Sequence, residues 1–312
     1  MHPAASIIVF TTLTGAGYGL LFWLGLASAL GVLPGSQGFA AATLGLAFAA
    51  ITGGLCSSLL HLGRPERAWR ALSQWRSSWL SREGVAALAT YLPGLLFAWD
   101  WIMRGADGAP WGTLTAIGAA ATVICTAHIY ASLKPIAQWH SGWVPANFLA
   151  LAAMTGALWL AGFCAVFDVG GRAPYGIALA ATALACVLKL LYWRHIDHHP
   201  GTTTAESATG LGRFGKVRLF QSPHTGSNYL MQEMGYAIAR KHRDKLRLVA
   251  TQLAFTVPLL LMVAALTEAG PTRWAAALLA APLATFGVLI ERWLFFAEAT
   301  HTVTLYYGAA RA

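Results

Sequence analysis

Residues 61–84 read HLGRPERAWRALSQWRSSWLSREG. This short connection carries five arginines (Arg64, Arg67, Arg70, Arg76, Arg82), three tryptophans (Trp69, Trp75, Trp79), a histidine (His61) and a glutamate (Glu83). It joins an apolar run at 39–62 to a second at 83–103. Each run is long enough to cross a hydrocarbon core, which takes about 20 mostly apolar residues. Outward from this pair lie six more such runs, at 4–33, 113–136, 146–167, 174–195, 246–268 and 273–299. Backbone amides cannot stay unpaired in lipid, so the runs are expected to be helices. Their length and lack of alternation exclude barrel strands. The fold expected is therefore an all-α integral membrane bundle of eight transmembrane helices, with residues 1–312 as one polytopic domain.

Composition agrees. Only 11% of the 312 residues are charged, 57% are hydrophobic, and the mean hydropathy is +0.56, whereas soluble domains carry about 25% charged residues. Prolines inside the runs (Pro93, Pro258, Pro282) are compatible with membrane helices. The opening MHPAASIIVF lacks a basic n-region and a small-residue cleavage site, so it reads as a first span and not as a removed signal. Cys56, Cys125, Cys164 and Cys186 all fall within expected spans. They read as buried apolar cysteines, because an iron–sulfur framework needs clustered, loop-borne thiolates. No iron–sulfur cluster is expected in this chain.

Eight spans put both termini on one side. Sixteen of the 21 Lys and Arg residues fall in the connections, span ends and tail of that side, three on the other, and Lys189 and Arg292 lie deeper within spans. The positive-inside rule then makes both termini cytoplasmic. The formal charge of +9 mostly reflects this asymmetry and gives no reason to expect nucleic acid as a partner; lipid headgroups are the expected contact. Residues 196–245 form the one sizeable polar segment. They are expected to be a cytoplasmic loop whose later part, NYLMQEMGYAIARKHRDKLR, makes an amphipathic interfacial helix. That helix suits a lipid-surface anchor and a docking face for a soluble partner equally.

Ionisable groups inside membrane spans are costly and mark functional sites. Here they gather toward the basic side: His61, Glu83, His128, Lys189, Glu291 and Arg292, with Glu298 and His301 beyond. Transporters place such groups near the midplane on broken helices, so a pocket open to one face is expected instead. Three readings of that pocket stand side by side. A quinone site needs an apolar slot, hydrogen-bond partners for two carbonyl oxygens, and proton-exchanging groups such as His61 and Glu83. A haem b site would take His61 and His128 as axial ligands. In the third, His61 and the arginines only mark the headgroup boundary. The His195, His198 and His199 cluster could bind a metal, although no context preorganises it.

Four segments carry a resemblance across nearly the full length: MHPAASIIVFTTLTGAGYGL, SSLLHLGRPERAWRAL, SWLSREG and SPHTGSNYLMQEMGY. On these the chain resembles the membrane-anchor subunits of the dimethyl sulfoxide reductase type, within the wider polysulfide-reductase-like membrane family. The resemblance implies an eight-helix, haem-free anchor that handles quinone, either ubiquinone or menaquinone. It also implies an iron–sulfur electron-transfer subunit and a molybdopterin catalytic subunit as partners. It associates His61, Arg67 and Glu83 with quinone binding and proton exchange; Arg64, Trp69 and His128 join only by location. A docking face turned to the cytoplasm is more similar to sulfite-oxidising dehydrogenases than to reductases whose catalytic part is exported. The expectation is thus quinone reduction coupled to sulfite oxidation in a bacterial inner membrane. A quinol-oxidising reductase anchor is the alternative, and a haem-binding cytochrome subunit or a transporter lies further off.

Overall fold

The computed structural model describes residues 5–60, 62–199, 201, 203–218, 220–221, 240–307 and 309. Among the described residues, eight helices are long and apolar enough to span a membrane: α1 Ala5–Ala29, α2 Gln37–Leu59, α3 Trp79–Arg104, α4 Ala109–Ala131, α5 Trp143–Phe167, α6 Ala173–His198, α7 Arg243–Thr267 and α8 Gly270–Ala297. These match the eight runs of the sequence, with ends displaced by a few residues. There is no strand among the described residues; an isolated bridge joins Ile136 and His301.

The most buried span is α1, which packs against α2, α4, α5 and, at its start, α8. Lipid tails are as apolar as leucine, so helix association in a membrane depends on close packing and interhelical hydrogen bonds. The sequence of α1 supplies both. Gly19 lies against Ala152 and Gly156 of α5 so closely that a Cβ on either glycine would overlap the partner backbone. On the far side Gly17 and Gly54 let α1 and α2 approach in the same way. Trp23 Nε1 donates to Ala153 O at 2.8 Å, and Ser57 of α2 donates to Ser6 O at 3.0 Å. A second cluster joins α5, α6, α7 and α8 through alanines such as Ala161, Ala178, Ala265 and Ala280 around Phe255 and Met262. Within α7 the backbone loosens to π-helical pairing over Gln252–Thr256, where Gly287 of α8 sits directly on the Leu253–Ala254 backbone.

Two expectations change. The third span begins at Trp79, not near residue 83, because Ser78 in extended conformation caps it and accepts from Ser81 N. Glu83 therefore lies a full turn inside the helix. Of the cysteines, Cys164 is buried, Cys125 and Cys186 are half-buried, and Cys56 is exposed on α2. A bundle whose outer surface meets lipid has no need to hide an apolar thiol. The interfacial helix expected over 228–247 falls largely outside the described residues; its basic end, Arg243–Arg247, opens α7.

One end of the bundle gathers the basic connections. Arg247 binds Asp197 of α6 through two nitrogens (2.6 and 3.0 Å) and Glu298, just after α8, at 2.6 Å. Arg240 donates to Ala297 O and Ala299 O. Trp139, between α4 and α5, donates to Phe295 O at 3.0 Å.

Candidate functional site

At this same end, the chain between α2 and α3 forms a 3-10 helix over Pro65–Gln74. Proline at its first position fits the preset φ and the missing N–H donor. None of its residues is buried, so it depends on being tethered. Ser81 Oγ donates to Ala71 O. Arg82 donates from Nε to Trp75 O (3.0 Å) and from Nη2 to Arg76 O (2.7 Å), with its guanidinium 4.3 Å above the Trp79 ring. Arg82 thus has a structural task, holding the turn that leads into α3.

Beneath this strap is a cavity of about 530 Å³, within the usual range of small-molecule sites, about 300–1,000 Å³. Its body is apolar, with Ile7 and Phe10 from α1, Leu55 and Leu59 from α2, and Ile129 and Tyr130 from α4. Among the described residues, three charged ones line it: Glu83, Arg64 and Arg67. Both arginines come from the strap end, while Glu83 reaches it from inside α3. Arg67 also stands 3.9 Å from Glu66.

Glu83 is buried, and its Oε1 accepts from Thr126 Oγ1 of α4 at 2.5 Å. Thr126 Oγ1 also lies 3.0 Å from Thr122 O. A hydroxyl has one proton and two lone pairs. An ionised Glu83 accepts that proton. A neutral Glu83 can donate its own to Thr126, whose proton then turns to Thr122 O. Neither state leaves a buried polar atom unpaired, so the side chain can change charge without rearrangement.

The sequence candidates divide. Glu83, Arg64 and Arg67 meet at one cavity. Trp69 is 67% exposed on the strap, with Arg70 5.5 Å over its ring. His128 does not line the cavity; it stacks on Trp79 at 4.5 Å, with Nδ1 2.9 Å from Ile124 O. His61 lies outside the described residues, although its neighbours Leu62 and Gly63 line the cavity. The rings of His198 and His199 turn back to their own helix, onto Arg194 O and His195 O. Among the described residues no group of three or more His, Cys, Asp or Glu is placed to hold a metal ion.

One arrangement was not legible residue by residue. Lys189 of α6 pairs with Glu291 of α8, and Glu291 also accepts from Arg292 Nε at 2.5 Å, all three being buried. The sequence shows charges inside two apolar runs, but only the packing of α6 and α8 beside each other makes them partners. Thr126 likewise has no local signal, because its role depends on α3 lying against α4.

The described residues thus form a bundle of eight candidate membrane spans with a charged, apolar-bodied cavity at one end. Residues 1–308 match the DMSO reductase anchor subunit (DmsC) family, and the chain belongs to it. It is a multi-pass membrane anchor subunit. It is similar to a sulfite dehydrogenase subunit of Allochromatium vinosum, 32% identical over 331 residues, spanning 98% of this chain and 99% of that one.

Proposed function

We propose that this chain is the quinone-binding anchor of a molybdopterin iron–sulfur oxidoreductase, passing electrons between an iron–sulfur partner subunit and membrane quinone. The observation that carries the reading is the cavity under the strap, apolar in body and bearing Glu83, Arg64 and Arg67. Those residues fit a quinone headgroup, which has a flat apolar ring and two acceptor oxygens. When bound, the quinone supplies two-electron, two-proton redox chemistry.

The protein's part is to bind, orient and exchange protons. Ile7, Phe10, Leu55 and Ile129 hold an apolar ring and exclude water from it. Arg64 or Arg67 donates to a ring oxygen and favours negative charge there. Glu83, paired with Thr126, gives or takes the proton at the cavity wall. His61 is assigned to the second ring oxygen from the sequence alone.

The sixteen-to-three distribution of basic residues favours a cytoplasmic docking face and an inner-membrane location. With the likeness to a sulfite dehydrogenase subunit, this supports sulfite oxidation coupled to quinone reduction. The family's reductase name supports the reverse flow, quinol oxidation, through the same cavity. A twin-arginine export signal on the catalytic partner would decide for that second reading.

The test is Glu83→Gln in the intact membrane complex. Quinone-coupled turnover should fall at least tenfold while an artificial dye still accepts electrons at the wild-type rate. Unchanged quinone-coupled turnover would refute the site.

A further inference from the structure

Bordering Thr126, the hydrogen-bond partner of Glu83, the bundle holds a second and much smaller cavity of about 20 Å³. It is walled by threonines of three spans: Thr11, Thr12 and Thr14 of α1, Thr126 of α4 and Thr155 of α5. The α1 and α5 hydroxyls each donate to a carbonyl of their own helix, which leaves their lone pairs free to accept. Two further polar side chains line it, those of Tyr18 and Arg292. Arg292 Nη2 is buried and has no hydrogen-bond partner, and the Tyr18 hydroxyl is buried with only a looser contact to Thr122, with Tyr18 3% and Arg292 2% exposed.

An orphaned guanidinium nitrogen in a bundle interior costs several kcal/mol unless something accepts from it. A space of about 10–15 Å³ by this measure admits one water, which needs two to four polar partners. Here the space, the donors and the acceptors coincide. Thr126 belongs to this wall and, through the same hydroxyl, to Glu83.

Arg292 also brings charge. With Glu291 and Lys189 it forms a buried triad, two basic groups to one carboxylate, with Glu298 beyond α8 as a further carboxylate that acts on Lys189. Cation–aromatic contacts support that charge: Arg292 lies 4.1 Å over Phe148, and Lys189 lies 4.4 Å over Tyr192 and 4.9 Å over Trp193. An aromatic face is a partial counterpart at most. An ionised Glu83 would give these basic groups a further anionic counterpart.

We propose that the threonine-lined cavity is an ordered-water site, and that through this water and Thr126 the Lys189–Glu291–Arg292 triad is the buried counter-charge of ionised Glu83. This rests on the reading of Glu83 as the proton-exchanging group of the quinone cavity, and extends it to what sustains the charge. Arg292 is a positioning residue in this scheme, since it reaches Glu83 only through other groups. The other titratable or charged groups around Glu83 are Tyr18 from α1, Arg64 and Arg67 from the strap, Arg82 from its own helix, and Cys125 and Tyr130 from α4. Arg82 is committed to backbone carbonyls. The strap arginines face the quinone cavity and not this one.

The test uses the whole complex in nanodiscs. A density map fine enough to show water should place one within hydrogen-bonding distance of Arg292 Nη2 and the Tyr18 hydroxyl; an empty cavity overturns the proposal. Infrared difference spectroscopy then follows the protonated-carboxyl band of Glu83, assigned by its loss in Glu83→Gln. In Arg292→Gln the band should persist to a pH at least one unit higher than in wild type. Arg292→Gln also removes a partner of Glu291 and puts folding at risk, so Thr126→Val, which alters no charge, is the second variant. It should displace the band the same way, and Thr126→Ser should restore it. A band unmoved in Thr126→Val refutes the coupling. This readout needs no quinone, so the two failures are told apart: a Glu83→Gln complex that kept quinone turnover would sink the functional reading, whereas a band unmoved in Thr126→Val would sink the coupling alone.

Discussion

Lys189 of α6 and Glu291 of α8 form an ion pair inside the bundle, with their side chains 1% and 0% exposed. Arg292 binds the second carboxylate oxygen, so one anion serves two cations. Removing one partner of a buried pair typically costs about 3–5 kcal/mol, because a bare charge is left behind. The triad makes that rule asymmetric.

Glu291→Gln leaves two buried cations facing each other and should cost about 3–5 kcal/mol or prevent assembly. Lys189→Met leaves a neutral Glu291–Arg292 pair and should cost no more than about 1–2 kcal/mol, in the range of an ordinary core change. Thermal unfolding of the detergent-solubilised subunit, with expression level as a second readout, would rank the two. Equal losses would mean that the charges are not shared as described.

Glu298 lies just beyond α8 with its side chain 6% exposed. Burial pushes its carboxyl above the ordinary carboxylate range, although Arg247 at 2.6 Å pulls the other way. Its Oε2 has no partner, which agrees with burial prevailing. A raised carboxyl favours the folded state while protonated, so that stability is full below the ordinary carboxylate range and is lost as pH rises through the folded value. The melting temperature should decline over that interval in wild type and decline less in Glu298→Gln. Parallel pH curves for the two proteins would rule this out.

Gly156→Ala would place a methyl group on the Gly19 backbone of α1. The helices must then separate, at about 1–3 kcal/mol by analogy with overpacked cores. Gly142→Ala, a position with open space, is the control. The check is the difference in unfolding temperature between the two variants.

Trp69 is exposed outside the cavity and Arg67 is on its wall. Arg67→Ala should raise the quinone KM or lower kcat by about tenfold, the scale of one charge-assisted hydrogen bond. Trp69→Ala should leave both within about twofold. Steady-state kinetics with a soluble quinone distinguishes them, and a reversed ranking would move the site onto the strap's outer face.

The eight spans were legible because each apolar run must hide its backbone polar groups from lipid, a local demand that length alone reveals. Glu83 was legible for a related reason, as a carboxylate beside such a run. Its depth was not, since the helix start depends on Ser78, a residue with no hydrophobic signal. Arg64 and Arg67 came into view through their location and family likeness, while Thr126, Tyr18 and Arg292 needed the packing of α1, α3, α4 and α8. Pairing between distant helices has no period in the sequence. For the same reason Trp69 and His128, near neighbours of the site along the chain, proved to lie off the cavity wall.

The cap at Ser78 has one more consequence. Glu83 lies four residues past the helix start at Trp79, about 6 Å of axial rise. The turn Trp79–Arg82 therefore acts as a spacer that sets how far the carboxyl lies from the water line. One residue added to this spacer would swing the carboxyl about 100° around α3, off Thr126 and away from the cavity, with no acidic, basic or aromatic residue altered. The alignment of Glu83 with Thr126 and the cavity wall is thus held by the register of a single serine.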